Sequence, residues 1–213
     1  MSDMNWNPQK TAKPHVCIVG IGALGSHLVQ FLRHIPAVHT LIDFDRVETK
    51  NTLSQFHSVK HVGKLKVEAI AQTMGFIWGS APGITTISRH SKLVQNNASE
   101  LLGTSPSDTY RPLVIDCLDN GDGRRVLQEH VRKYGIPCLH GGLAADGAFG
   151  RVVWDKDFVI DDEDGAGAAT CEDGRHLPFI GVVSAYLAMA ASRYLETGKQ
   201  YGYSISPTNV IVI

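Results

Sequence analysis

Apolar and polar positions switch between two periods along this chain, and the switches mark its elements. His15-Val16-Cys17-Ile18-Val19 is a short β-branched run bounded by Pro14, which predicts a buried strand. Beyond it Leu24, Leu28, Phe31 and Leu32 recur at helical spacing, and Thr40-Leu41-Ile42 returns to the strand pattern. Residues 15–43 therefore read as one βαβ unit. A helix is expected from Leu65 to Met74, where Val67, Ile70, Ala71 and Met74 share a face. The same reading places strands at 83–88, 113–115, 136–140 and 150–154, and helices at 91–102, 124–134 and 180–195. Ser204 to Ile213 is expected to close the chain as a strand. Alternating strands and helices define an α/β class. The expected fold is a Rossmann-like, mostly parallel sheet flanked by helices, with a mixed or antiparallel C-terminal extension.

The polar stretches set the domain plan. Residues 1–13 are expected to be a flexible leader and residues 14–213 a single domain. Within that domain, residues 157–176 are acidic and rich in small side chains, which predicts a mobile, crossover-type loop. Asp43 to Gly63 is polar, without a clean period, and long enough to be functional rather than a simple connection.

Composition narrows the classes. The chain has 213 residues, 43% of them hydrophobic, enough for one substantial core. Its net charge of −1 recruits neither nucleic acid nor an anionic membrane. The longest apolar run, near 179–191, is interrupted by Gly181 and Ser184, so no membrane span is expected. The leader has no signal-peptide core. Four cysteines without a CxxC pair point to a cytoplasmic setting, with neither disulfides nor zinc.

The chemistry gathers at the strand ends. Gly20-Ile21-Gly22-Ala23-Leu24-Gly25 falls on a strand-to-helix turn. There the first glycine permits the bend, the second lets a phosphate approach and the third packs helix on strand. Asp43 stands where a ribose-binding acid belongs. Asp43 and Asp45 end one strand, and Asp116 and Asp119 end another; such clusters can hold ribose hydroxyls and Mg²⁺. Asp116, Asp119 or Asn120 could instead cap the following helix, though for Asp119 the arginine-bearing helix that follows favours a functional role. Lys66, in a stretch that also carries Asn51, Gln55 and Lys64, can neutralise a polyphosphate or simply open an amphipathic helix. His57, His61, His140 and His176 form no His/Asp cluster and read as surface or satisfied side chains. Trp6, Trp78 and Trp154 read as packing residues.

Taken together, these blocks resemble the ThiF/MoeB/HesA family of E1-like adenylating enzymes. The matching pieces are Gly20 to Ser26, Asp43-Phe-Asp-Arg-Val-Glu48, Asn51-Thr-Leu-Ser-Gln55, Val62 to Glu68, and Asp116-Cys-Leu-Asp119-Asn120 followed by Arg124. They occur in the family's order over about residues 15–200. The resemblance implies ATP-dependent adenylation of the C-terminal glycine of a small ubiquitin-like or sulfur-carrier protein, by a homodimer, with an E2-like acceptor downstream. It implies ATP and Mg²⁺ as cofactors. Gly20, Gly22, Ala23, Gly25, Asp43, Asp45, Asn51, Gln55, Lys66, Asp119 and Asn120 would line the nucleotide site, Asp119 would hold Mg²⁺, and Lys66 and Asp119 would be catalytic. Cys171, ahead of the last large helix, stands where relatives often carry a transfer thiol. The chain departs from the pattern at Ser54, where the family usually has arginine, and in lacking an arginine-rich leader and paired CxxC motifs. Arg46, Lys50, Lys60 or Lys64 are the cations at hand to compensate. The readings left beside it are a non-catalytic nucleotide- or partner-binding module and an NAD-dependent oxidoreductase. The latter leaves Asn51, Lys66 and Asp119 without a role. A tRNA-modifying relative would need a basic stretch that this sequence lacks.

Overall fold

The alternating runs assemble into one eight-stranded sheet in the computed structural model, which describes residues 13–79, 85–104, 111–160 and 174–213. In chain order the elements are β1 (Pro14–Val19), α1 (Ala23–Phe31), β2 (Val38–Asp43), α2 (Lys66–Trp78), β3 (Thr85–His90), α3 (Ala98–Leu102) and β4 (Arg111–Asp116). They continue with α4 (Gly121–Tyr134), β5 (Cys138–Leu143), β6 (Gly150–Trp154), α5 (Leu177–Thr197), β7 (Tyr203–Ser206) and β8 (Asn209–Val212). The strands lie in the order β3-β2-β1-β4-β5-β6-β7-β8. Pairing is parallel from β3 across to β5 and antiparallel from β5 to β8. The expected class, a Rossmann-like sheet with an antiparallel C-terminal extension, is therefore observed.

β1 is covered on both faces, which explains its unbroken apolar run. Val16 and Ile18 pack with Leu28, Leu113, Leu139 and Leu187 under α1 and α5. Cys17 and Val19 face the other way, into a layer with Leu101, Val114, Leu127 and Val131 under α3 and α4. α5 is long and apolar enough, by length and composition, to cross a membrane, which the sequence reading did not anticipate. Here it is a core helix: Ile180, Val183, Leu187, Ala190 and Ala191 are buried against the sheet and α1.

Several expectations shift. The helix foreseen over 91–102 shrinks to Ala98–Leu102, because Asn97 takes up the local backbone and side-chain groups. Its Oδ1 accepts from Val94 N–H, and its Nδ2 donates to Ser91 Oγ and the Lys92 carbonyl. The closing strand is a hairpin, β7 and β8, broken at Pro207, which has no N–H to donate to a ladder. β3 runs from Thr85 to His90 rather than ending at Ser88. Asp43 to Gly63 folds into short 3-10 turns at Thr49–Leu53 and Val59–His61. Residues 1–12 of the expected leader, with Trp6, and Cys171 lie outside the described residues, as do 161–173 of the expected mobile loop. Trp154 is a packing residue, buried, with its indole donating to the Tyr201 carbonyl at 3.1 Å.

The α1–α5 layer carries much of the fold, so Leu187→Ala, at a fully buried position, should cost about 2–5 kcal/mol. Urea unfolding checks this, and an unchanged midpoint would contradict the packing described.

Candidate nucleotide site

Because β2 and β3 lie to one side of β1 and β4 to the other, a crevice opens where the strand order reverses, at the carboxyl ends of β1, β2 and β4. Gly20, Gly22, Asp43, Asp45, Lys66, Leu118, Asp119 and Asn120 line it. Gly20 has φ of +89°, and a Cβ there would lie 2.7 Å from the Cys117 carbonyl oxygen. A Cβ at Gly25 would lie 1.9 Å from the Gly20 carbonyl oxygen, so α1 can follow β1 this closely only with glycine. At Gly22 a Cβ would meet nothing within 4 Å. Gly22 is also the N-cap of α1, without a side-chain cap or an acidic residue in the first turn. The helix thus begins at the crevice wall, at Gly22, with its opening N–H groups left without a side-chain cap, as an anion-binding helix end requires.

Asp43 holds this turn in place. Ile21 N–H donates to its Oδ2 at 2.6 Å and Asp45 N–H to its Oδ1 at 2.7 Å. Burial pushes its pKa up, against the pull of those two amides and of Lys66. Both oxygens keep a lone pair for a ligand hydroxyl.

Lys66 arrives by a separate route. Val47 N–H donates to the Lys64 carbonyl at 2.8 Å, Gly63 N–H donates to the Val47 carbonyl at 2.8 Å, and Lys66 N–H donates to the Asp45 carbonyl at 2.9 Å. This small ladder aims the Lys66 ammonium at Asp45 Oδ2, 2.9 Å away, with the lysine buried and the aspartate half exposed. A cation in the first residue of a helix faces the positive end of the helix dipole. Its position is therefore unfavourable unless an anion stands in front of it.

Asp119 is exposed on the opposite wall and has no hydrogen-bond or ion-pair partner among the described residues. One free carboxylate suits Mg²⁺, which keeps waters and leans on substrate phosphates rather than on an all-protein cage. Asn120 turns out to be the N-cap of α4, its Oδ1 accepting from Gly123 N–H at 2.8 Å, so its amide oxygen is already committed.

Asn51, Gln55, Ala23 and Gly25 do not line the crevice; they brace it. Asn51 Oδ1 accepts from Glu48 N–H, and Gln55 is buried. Three side chains stitch this segment to α1: Phe56 N–H donates to Ser26 Oγ at 2.9 Å, His27 Nε2 to the Ser54 carbonyl at 2.9 Å, and His57 Nε2 to the Ile21 carbonyl at 3.0 Å. Ser54 is 1% exposed and so cannot act at the crevice. Of the four substitutes, Arg46 donates to the Gly63 carbonyl, Lys64 to Gln72, and Lys50 pairs with Glu48, while Lys60 is exposed and does not line the crevice. Lys92 is the cation that the sequence reading missed. It lines the crevice beside Ser91 and Leu93, its Nζ 5.7 Å from the Phe44 ring centroid.

His140 is a satisfied side chain, as read, but it does belong to a His/Asp cluster, which is a correction. Its ring sits buried between Asp116 and Asp155. Asp116 is not a helix cap either, being fully buried. Cys17 and Cys138 are buried structural thiols, with burial pushing Cys17 up to about 12. Cys117 touches the crevice, but burial holds its thiol well above the ordinary range.

Comparison with known proteins gives the family and the fold. The model of the ThiF family matches residues 7–208, and the chain belongs to that family. It is 29% identical over 130 residues to the SAMP-activating enzyme E1 of Haloferax volcanii, covering 60% of this chain and 45% of that protein. It is 28% identical over 145 residues to the ubiquitin-like modifier-activating enzyme 5 of Oryza sativa subsp. japonica, covering 64% of this chain and 34% of that one. The chain thus spans less than half the length of these relatives. Among solved structures, E. coli MccB with ATP superposes with a TM-score of 0.72 at 14% identity, covering 97% of this chain and 64% of MccB. PaaA gives 0.68 at 17% identity with the same coverages, a likeness of fold.

The brace carries a pH prediction. Burial lowers His57 from 6.5 to about 4, and its Nδ1 is buried without a partner among the described residues, so the native ring is neutral. The unfolded chain takes up that proton near 6.5 and the native one only near 4. Stability is therefore complete above that window and is lost as pH falls through it, by about 3 kcal/mol from this group. Urea-unfolding free energies measured across the window should fall less for His57→Gln than for the wild type; parallel profiles would contradict the assignment.

Proposed function

We propose that the chain is an adenylating enzyme that activates the C-terminal glycine carboxylate of a small ubiquitin-like or sulfur-carrier protein with ATP. The observation that carries this reading is the convergence of the bare α1 N-terminus, Lys66 and the partnerless Asp119 on one crevice. A dinucleotide dehydrogenase needs the first of these and has no use for the other two. Relatives named as activating enzymes, and MccB solved with ATP and with forms of MccA, support the same class of reaction.

In the proposed step a carboxylate oxygen of the client attacks the α-phosphorus. A new P–O bond forms, the bond from the α-phosphorus to the bridging oxygen breaks, and pyrophosphate leaves with that electron pair. Backbone N–H groups at Gly22 and beyond meet the charge that grows on the phosphoryl oxygens. Lys66 exchanges Asp45 for the phosphates and neutralises them as a point charge. Asp43 accepts from the ribose hydroxyls while keeping the turn closed. Asp119 would hold Mg²⁺, which supplies further charge neutralisation for the triphosphate. No side-chain nucleophile is required.

A following step is assigned to Cys171: its thiolate would attack the acyl carbon, forming a thioester and releasing AMP. The enzyme is proposed to act in the cytoplasm as a homodimer, with an E2-like protein as the next acceptor.

ATP–pyrophosphate exchange should depend on a client ending in glycine. It should fall at least about 100-fold in Lys66→Ala and in Asp119→Ala. ATP binding without exchange for any glycine-terminated client would favour the non-catalytic module instead. A reducible adduct that forms with the wild type and not with Cys171→Ser would support the thioester step, and an adduct that survives the substitution would contradict it.

A further inference from the structure

Behind Asp119 lies a buried chain of charges that the proposed reaction leaves unused. Asp116, fully buried at the end of β4, has both oxygens occupied. Its Oδ1 accepts from Leu118 N–H at 2.9 Å, and its Oδ2 accepts from His140 Nδ1 at 2.8 Å, with Arg124 Nε 3.4 Å away. From β5, His140 reaches with Nε2 to Asp155 Oδ1 at 3.2 Å. Asp155 in turn accepts from Arg132 Nε at 2.8 Å and Gln128 Nε2 at 3.0 Å. The Phe158 ring lies on the imidazole, 3.9 Å between centroids and 7° from parallel, and the Arg124 guanidinium is 5.5 Å from the same ring.

An imidazole whose two nitrogens each meet a carboxylate can donate to both only when it is protonated. Burial works against that charge, but hydrogen bonds to Asp116 and Asp155 outweigh it and hold the ring well above its ordinary range. Cys138 is itself held up by burial and faces the ring as a neutral thiol, so the two carboxylates supply the lasting attraction. Arg124 completes the arrangement: Nε donates to the Leu118 carbonyl at 3.0 Å and Nη2 to the Gly141 carbonyl at 2.9 Å. Leu118, the residue before Asp119, thus has its N–H fixed by Asp116 and its C=O fixed by Arg124.

We propose that His140 is a positioning residue for Asp119: lodged as an imidazolium between Asp116 and Asp155, it fixes the 117–119 turn and so the direction in which Asp119 offers its carboxylate. The use made of that carboxylate rests on the nucleotide reading above; the positioning itself does not. Groups one layer out from a metal-bearing carboxylate commonly change metal affinity 10- to 100-fold when removed.

Nitrogen-resolved NMR of the wild-type histidine rings should find His140 protonated on both nitrogens from about pH 6 to about pH 9. A singly protonated ring at neutral pH would overturn the proposal. His140→Phe keeps a ring against Phe158 but loses both bonds. Its Leu118 amide should exchange with solvent about tenfold faster than that of the wild type. Its gain in ATP affinity on adding Mg²⁺ should shrink about tenfold, towards that of Asp119→Ala, with ATP affinity in EDTA unchanged. A folded His140→Phe chain with wild-type amide exchange and the full Mg²⁺ gain overturns the assignment. If the wild type binds no nucleotide at all, the adenylation reading falls, and ring protonation and amide exchange still decide the role of His140.

Discussion

Two backbone amides that converge on one carboxylate hold this site together. Ile21 donates to Asp43 from the glycine turn and Asp45 donates from the loop beyond β2, at 2.6 and 2.7 Å. Hydrogen bonds to a buried carboxylate are stronger than those between neutral groups, and Asp43 is only 8% exposed. The first bond fixes where the α1 N-terminus points. The second fixes Asp45, whose carbonyl accepts from Lys66 N–H and whose carboxylate meets the Lys66 ammonium. A single side chain therefore sets the spacing between the anion-binding turn and the cation that faces it.

The rest of the crevice has the same economy. The wall at Asp119 is set by charges behind it, and the floor by α1, which Ser26, His27 and the Ile21 carbonyl tie to residues 51–57. That brace changes the meaning of Ser54. Ser54 is buried away from the crevice, and the cations that line the crevice are Lys66 and, on the far side, Lys92.

The parts that were legible in the sequence each had a local physical cause. Gly20 and Gly25 could be assigned separate roles because each answers a different steric demand, the bend and the close packing of helix on strand, and the structure shows both. β1 could be read because a strand covered on both faces has no polar positions to break its run. Lys92 was hidden because residues 91–102 have helical composition, and only the Asn97 side-chain bonds show that the chain turns there first. His140 was hidden for a different reason. Its partners lie 24 and 15 residues away and meet it only through the pairing of β4, β5 and β6. No period or motif encodes such a meeting.

The proposed chemistry requires a triphosphate, rather than a nicotinamide dinucleotide, in this crevice. Calorimetric titration of the chain with MgATP and, separately, with NAD distinguishes the two. Saturable MgATP binding is expected, weakened at least about tenfold in Lys66→Ala, with little or no binding of NAD. Tight NAD binding that is indifferent to Lys66, with no heat from MgATP, would contradict that chemistry.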